Sequence, residues 1–112
     1  MHLVKVKPLS LNSAYRGRRF KTPELEQYKN DVIFQLPNDI TIPKGKLELE
    51  IHFGVSTKNC DVDNFCKCFI DCLSVAYEFN DNLVYRINVR KVDTKKGNEY
   101  IAFEIRPFTG FS

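Results

Sequence analysis

The chain has no long apolar run. Its first residues, MHLVKVKPLS, lack the hydrophobic stretch of a signal peptide, and no segment approaches the ~20 apolar residues of a membrane span. A soluble, cytoplasmic protein is therefore expected, with its cysteines reduced. There is also no internal repeat, low-complexity tract or linker, and 112 residues leave no room for a second core, so residues 1–112 are expected to form one domain. Charge of either sign is not in large excess. The formal net charge is only +3, and its distribution says more than its size. Arg16, Arg18, Arg19 and Lys21 crowd into YRGRRFK, and Arg90, Lys91, Lys95 and Lys96 into RKVDTKK. Runs of this kind can hold phosphates or simply form solvated loops.

What is present is ample core material, including nine Phe and five Tyr. Residues 2–7 alternate as a short strand that Pro8 ends, and LSLNSAYRGRRFK then reads as an arm or loop. Thr22 followed by Pro23 is a helix start, a capping hydroxyl before a proline whose φ already suits the first turn. Leu25, Tyr28, Val32 and Leu36 form the apolar face of that helix, which Pro37 stops. KLELEIHFGV (46–55) is a half-buried strand, with Leu47, Leu49, Ile51, Phe53 and Val55 on one face and Glu48, Glu50 and His52 on the other. From about 62 to 77 the period becomes helical, with Phe65, Phe69, Cys72, Leu73 and Ala76 on one side and Asp63, Lys67 and Asp71 nearly opposite. LVYRINVRKV and EYIAFEIR alternate again, and DTKKGN between them predicts a hairpin connection. The order β-α-β-α-β-β predicts an α+β domain, a mixed or antiparallel sheet with two helices packed on it.

All four cysteines fall within CDVDNFCKCFIDC (60–72), beside three carboxylates. Their gaps do not pair as structural zinc ligands do, and there is no second cluster to complete a site. Cys72 falls on the apolar helix face, where a thiol acts as a small hydrophobe. A calcium loop fails as well, because its turn glycine is Cys66 and its bidentate glutamate position is Cys72. The carboxylates remain. Asp61 is placed to cap the helix, and Asp63 lies in its first turn, where the helix dipole favours negative charge. Capping does not account for Asn64, Lys67 and Asp71 following at helical spacing, or for Asp81 just before the next strand. Acids gathered at a sheet edge suit Mg2+, and a lysine one turn along suits a phosphate under attack. The constellation suggests metal-dependent phosphodiester hydrolysis. His2, at the terminus, and His52, on a polar strand face, read as ordinary surface histidines.

The pattern D-x-D-N-x-x-K-x-x-x-D-x-L, read here as Asp61, Asp63, Asn64, Lys67, Asp71 and Leu73, is followed by NDNLV with Asp81 and Val84. It resembles the RusA-type Holliday-junction endonucleases of bacteria and their phages. PLSLNSAYRGRRFKTPE is similar to that family's P-x-S-x-N-x-x-Y/W-R segment, with Pro8, Ser10, Asn12, Tyr15 and Arg16 in place, so the resemblance runs from about residue 8 to 84. It implies a small homodimeric α+β enzyme that nicks four-way DNA junctions symmetrically in recombination and repair. Mg2+, for which Mn2+ substitutes, would be the cofactor, and 5′-phosphate and 3′-hydroxyl ends the products. On this resemblance Asp61, Asp63 and Asp81 match the catalytic, metal-binding acids, Lys67 the functional lysine, and Asp71 a further recurrent acid that is a candidate fourth metal ligand. Asn12, Tyr15, Arg16, Arg18, Arg19 and Lys21 are the expected DNA contacts. Two positions depart from the pattern. The acidic pair is Asn80-Asp81, leaving Asn80 only a carbonyl oxygen to offer, and the glycine between helix and pair is absent.

Three functions compete: a structure-selective endonuclease, a non-cleaving module of the same fold that binds branched DNA, and a thiol- or zinc-based regulator. The matched acids favour the first, and the cysteine spacing disfavours the last. Geometry poses one difficulty. A helix over 62–77 is roughly 22 Å long, whereas the steps from Tyr77 to Asp81 extend at most about 14 Å. Asp81 reaches Asp63 only if the helix ends early or the chain folds straight back along it; otherwise it meets the acids of a partner subunit. A site within one chain is the favoured expectation.

Overall fold

The computed structural model describes residues 1–11, 15–16, 20–57 and 61–110, with 15–16 and 20–21 described as backbone. In chain order come β1 (His2–Val4), β2 (Tyr15–Arg16), β3 (Phe20–Lys21), α1 (Pro23–Gln35), β4 (Leu47–Val55), α2 (Asp63–Tyr77), a single 3-10 turn (Asp81–Leu83), β5 (Val84–Asp93) and β6 (Tyr100–Pro107). β1, β6, β4 and β5 form one four-stranded sheet in that order, and β2 and β3 form a separate two-residue ribbon. Over the described residues the domain is α+β with a mixed sheet and two helices, as the element order predicts.

The helix signals work as read. Thr22 Oγ1 accepts from the Leu25 N–H at 3.3 Å, Pro23 opens α1, and Leu25, Tyr28 and Val32 are buried. Leu36, now extended, closes the helix just before Pro37. In β4 the face Leu47, Leu49, Ile51, Phe53 and Val55 is buried throughout. α2 lies against that face through aromatic contacts: Phe53 meets Phe65 at 5.4 Å and Phe69 at 6.2 Å, and Phe69 meets Phe103 edge-on at 5.5 Å. Such pairs contribute about 0.5–1.5 kcal/mol each beyond the area they bury. They fix how the helix lies on the sheet.

Three local expectations are corrected. The first strand ends at Val4, because the backbone N–H and C=O of Lys5 pair with the Gln35 side-chain amide at 2.7 and 2.9 Å in place of a neighbouring strand. The arm after Pro8 contains the β2–β3 ribbon, with Tyr15 opposite Lys21 and Arg16 opposite Phe20.

The third correction is topological. β5 and β6 do not form a hairpin. β5 pairs parallel to β4, and β6 pairs antiparallel on the other flank of β4. Burial explains the arrangement. Ile101 and Phe103 of β6 are fully buried, which suits a central strand, whereas no residue of β5 is fully buried, which suits an edge. The link between them crosses the end of β4, held by the Thr94 N–H donating to the Val55 carbonyl at 2.8 Å and the Ser56 hydroxyl donating to Glu99 at 2.7 Å. The β4–α2–β5 unit is thus a parallel crossover, which needs a long connection and has one in the helix.

On the sheet face turned away from the helices, Glu48, Glu50 and His52 meet cations from both flanking strands. Arg106 lies 3.0 Å from Glu48, 3.6 Å from Glu50 and 3.1 Å from Glu104, and Arg86 lies 3.7 Å from Glu48. His52 Nε2 sits 3.0 Å from Glu50. The polar alternation of β4 is therefore satisfied within the sheet.

Candidate functional site

The start of α2 is set by its own backbone. Val62 is the capping residue, already in the right-handed helical region, and no side chain caps the end. The Asp61 carbonyl accepts from the Asn64 N–H at 3.1 Å and the Val62 carbonyl from the Phe65 N–H at 3.2 Å, a tight i→i+3 entry. The capping role expected of the Asp61 side chain is thereby corrected: its carbonyl does the work, and its carboxylate is left for other tasks. Asp61 and Asp63 are both exposed.

One turn further along, Lys67 lies between two acids. Its Nζ is 3.0 Å from Asp71 Oδ1 and 3.8 Å from Asp81 Oδ2. The first pair is an i,i+4 contact along the helix, whereas the second joins the helix to the segment leading into β5. The chain folds straight back along the helix to bring Asp81 to Lys67. The helix runs to Tyr77, and Glu78 then takes a left-handed conformation, φ 56° and ψ 44°. The Phe79 N–H donates back to the Ser74 carbonyl at 3.2 Å, so the chain reverses along α2. A non-glycine residue in this region costs about 1–2 kcal/mol, and Glu78 takes the turn without the glycine that the family pattern often has here. Asn80 Oδ1 accepts from the Asn82 N–H at 2.9 Å and so begins the 3-10 turn that carries Asp81. The side-chain oxygen of Asn80 that could replace a missing acid is therefore already engaged in a cap.

The structure thus brings Lys67, Asp71 and Asp81 together within one chain and sets Asp61 and Asp63 at the helix start, with Asp63 one turn from Lys67. Among the described residues no three acidic, histidine or cysteine side chains gather closely enough to hold an ion by themselves. That is compatible with Mg2+, which keeps several waters and is commonly held by one or two carboxylates together with substrate phosphates. Exposed aspartates supply the hard oxygen donors it prefers.

The three described thiols do not belong to such a site. Cys68 and Cys72 are buried, and Cys66 is half-buried with its S–H directed at the Val62 carbonyl, 3.6 Å away. Burial pushes all three thiols up, Cys72 to about 12, so none is disposed to be a thiolate ligand or nucleophile. Cys60 lies outside the described residues, as do Asn12, Arg18 and Arg19. Tyr15, Arg16 and Lys21 fall on the β2–β3 ribbon. A cavity of about 520 Å3 opens between the segment after β1, α1 and the start of α2. It is lined by Lys5, Ser10, Gln27, Tyr28 and Phe65 among others, and by none of the four acids. No motif in the sequence pointed to it, because its walls come from five separate segments.

Among the described residues no helix is long and apolar enough to cross a membrane. Residues 9–105 match the family model described as endodeoxyribonuclease RusA. A search of curated proteins gives no match.

Proposed function

The chain belongs to the RusA endodeoxyribonuclease family, and from that premise we propose that it is a Mg2+-dependent nuclease that cuts four-way DNA junctions. On this reading it acts as a homodimer in the cytoplasm, in recombination and repair, and leaves 5′-phosphate and 3′-hydroxyl ends. The observation that carries the reading is the Lys67 ammonium held between Asp71 and Asp81, one helical turn from Asp63.

Each side chain then has a role. Asp63 and Asp81, with Asp61 beside them, would hold Mg2+, or Mn2+ in its place; such an ion lowers the pKa of a bound water and neutralises charge on the phosphate. Lys67 offers its ammonium to a non-bridging oxygen of the scissile phosphate, where developing negative charge is stabilised. Asp71 holds that ammonium from the far side and keeps it oriented while substrate replaces Asp81 as its second partner. Tyr15, Arg16, Arg18, Arg19 and Lys21, with Asn12 before them, contribute contacts to the DNA backbone, which position the duplex more than they read sequence.

A second reading has its own support. Asn80 stands where the family pattern has an acid, and its oxygen is engaged in a cap. A protein binding the metal too weakly to cut would still bind branched DNA. One experiment separates the two: cleavage of a synthetic four-way junction with and without Mg2+, for the unaltered protein and for Asp63→Asn and Asp81→Asn. The nuclease reading expects Mg2+-dependent nicking that falls by orders of magnitude in either variant. Junction binding should persist or tighten, since a negative charge beside a phosphate has been removed. Binding without any cleavage by the unaltered protein would establish the second reading, and normal cleavage by both variants would remove these acids from the mechanism.

A further inference from the structure

The second basic run, Arg90 to Lys96, takes no part in the site described above, yet the fold brings it to the same end of the sheet. Val55, the last residue of β4, pairs with Asp93, the last of β5, and the Thr94 N–H bonds to the Val55 carbonyl at 2.8 Å. Lys95 and Lys96 therefore follow directly on the end of β4, from which the chain departs towards Asp61. The first turn of α2 is pinned over this same end by the contact between Phe65 and Phe53. Lys91 is the register neighbour of Phe53 on β5, so it stands beside that turn.

The cations of the sheet divide accordingly. Arg86 and Arg106 are engaged by Glu48, and Arg106 also by Glu50 and Glu104. Arg90, Lys95 and Lys96 are exposed, and among the described residues they form no ion pair. Within the run only Asp93 opposes them.

We propose that Lys95 and Lys96 form a strip that binds the sugar-phosphate backbone of a DNA arm leaving the acidic site; Arg90, the register partner of His52, lies on the other face of the sheet. The inference rests on the reading of this chain as a junction-binding protein and adds a contact surface to it. Long flexible side chains ending in point charges suit successive phosphates, and their place at the end of the sheet that carries Asp61 and Asp63 gives the strip a shared substrate. A competing explanation is that cations on an exposed edge strand only prevent edge-to-edge association.

The test is the salt dependence of four-way-junction binding, without Mg2+ so that no cutting intervenes. Lys95→Ala/Lys96→Ala is compared with Lys44→Ala/Lys46→Ala. The control pair precedes Leu47 at the opposite end of β4, roughly 26 Å away at strand rise. For duplex DNA, each phosphate that the protein no longer neutralises lowers the steepness of log affinity against log salt by about 0.9. The proposal expects the slope to flatten by about that amount per side chain in the first set and to stay unchanged in the control. Equal flattening in both sets would mean a diffuse charge effect and overturn the strip. An unchanged slope, with or without self-association of the variants, would leave edge protection as the explanation. If the unaltered protein does not bind junctions at all, the underlying reading fails with it, whereas normal binding with an unaffected slope refutes the strip alone.

Discussion

At the scale of single residues, the neighbourhood of α2 shows how burial decides chemistry. Cys72 and Asp71 are adjacent in the chain, yet one side chain is in the core and the other in an exposed ion pair. The Cys72 thiol, ordinarily near 9.0, is raised to about 12 mainly by burial, so the folded state holds it neutral where the unfolded chain would ionise it. A raised acid contributes stability that is complete below its unfolded value and lost as pH climbs towards its folded one. Stability should therefore decline between about pH 9 and 12, and burial of the Tyr28 hydroxyl adds to the decline from about pH 10 upward. Cys72→Ala costs some packing at neutral pH but removes one of the groups responsible. Its deficit in urea midpoint should narrow as pH rises above 9, and a deficit constant up to pH ~11 would refute the assignment. The inertness of Cys72 was legible from its place on the apolar helix face. The true capping arrangement at Asp61 was not, because a carbonyl and a carboxylate of one aspartate compete for the same role and only the backbone angle at Val62 decides between them.

At the scale of elements, β4 was the most legible because its alternation is strict and its buried face entirely apolar. The pairing of its neighbours was harder. A six-residue link rich in Thr, Lys, Gly and Asn suits a hairpin, but it also suffices to cross one strand end, and the local pattern is the same. The discriminating signal is the degree of burial: Ile101, Phe103 and Ile105 give β6 a richer inward face than Ile87, Val89 and Lys91 give β5. One consequence of placing β6 beside β4 is that the Tyr100 ring lies against Gly54, its register partner. A Cβ added at Gly54 would run into the Cδ1–Cε1 edge of that ring, so the ring or the strand must shift. Gly54→Ala should therefore destabilise the fold by about 1–3 kcal/mol, the usual cost of overpacking. In a Tyr100→Ala background the same substitution should cost less than half as much, as a double-mutant cycle in urea would show. Equal costs in the two backgrounds would place the strain elsewhere.

At the scale of the whole molecule, the proposed cutting of a four-way junction asks one acidic constellation per chain to serve two strands. Two copies related by a twofold axis supply two sites from one gene, and symmetric assembly is the common solution. Sedimentation of the unaltered protein at micromolar concentration should accordingly give a dimer. From sequence, a site within one chain is favoured over one shared across two, although the length of α2 carries the chain away from Asp63. The left-handed turn at Glu78 and the 3.8 Å approach of Asp81 to Lys67 favour assembly within one chain. Mixed dimers make the distinction sharp. When Asp63→Asn and Asp81→Asn subunits are paired, sites built within one chain each lose one acid, and both stay defective. Sites shared across the dimer would instead collect both lesions in one site and leave the other intact, restoring nicking of one strand. The expected outcome is therefore no recovery on mixing the two variants, measured as nicked product from a labelled four-way junction against either variant alone. Recovery to about a quarter of the rate of the unaltered protein, since about half the dimers would be mixed and each would keep one intact site of two, would show that Asp81 serves its partner, and that its approach to Lys67 holds the helix rather than the phosphate.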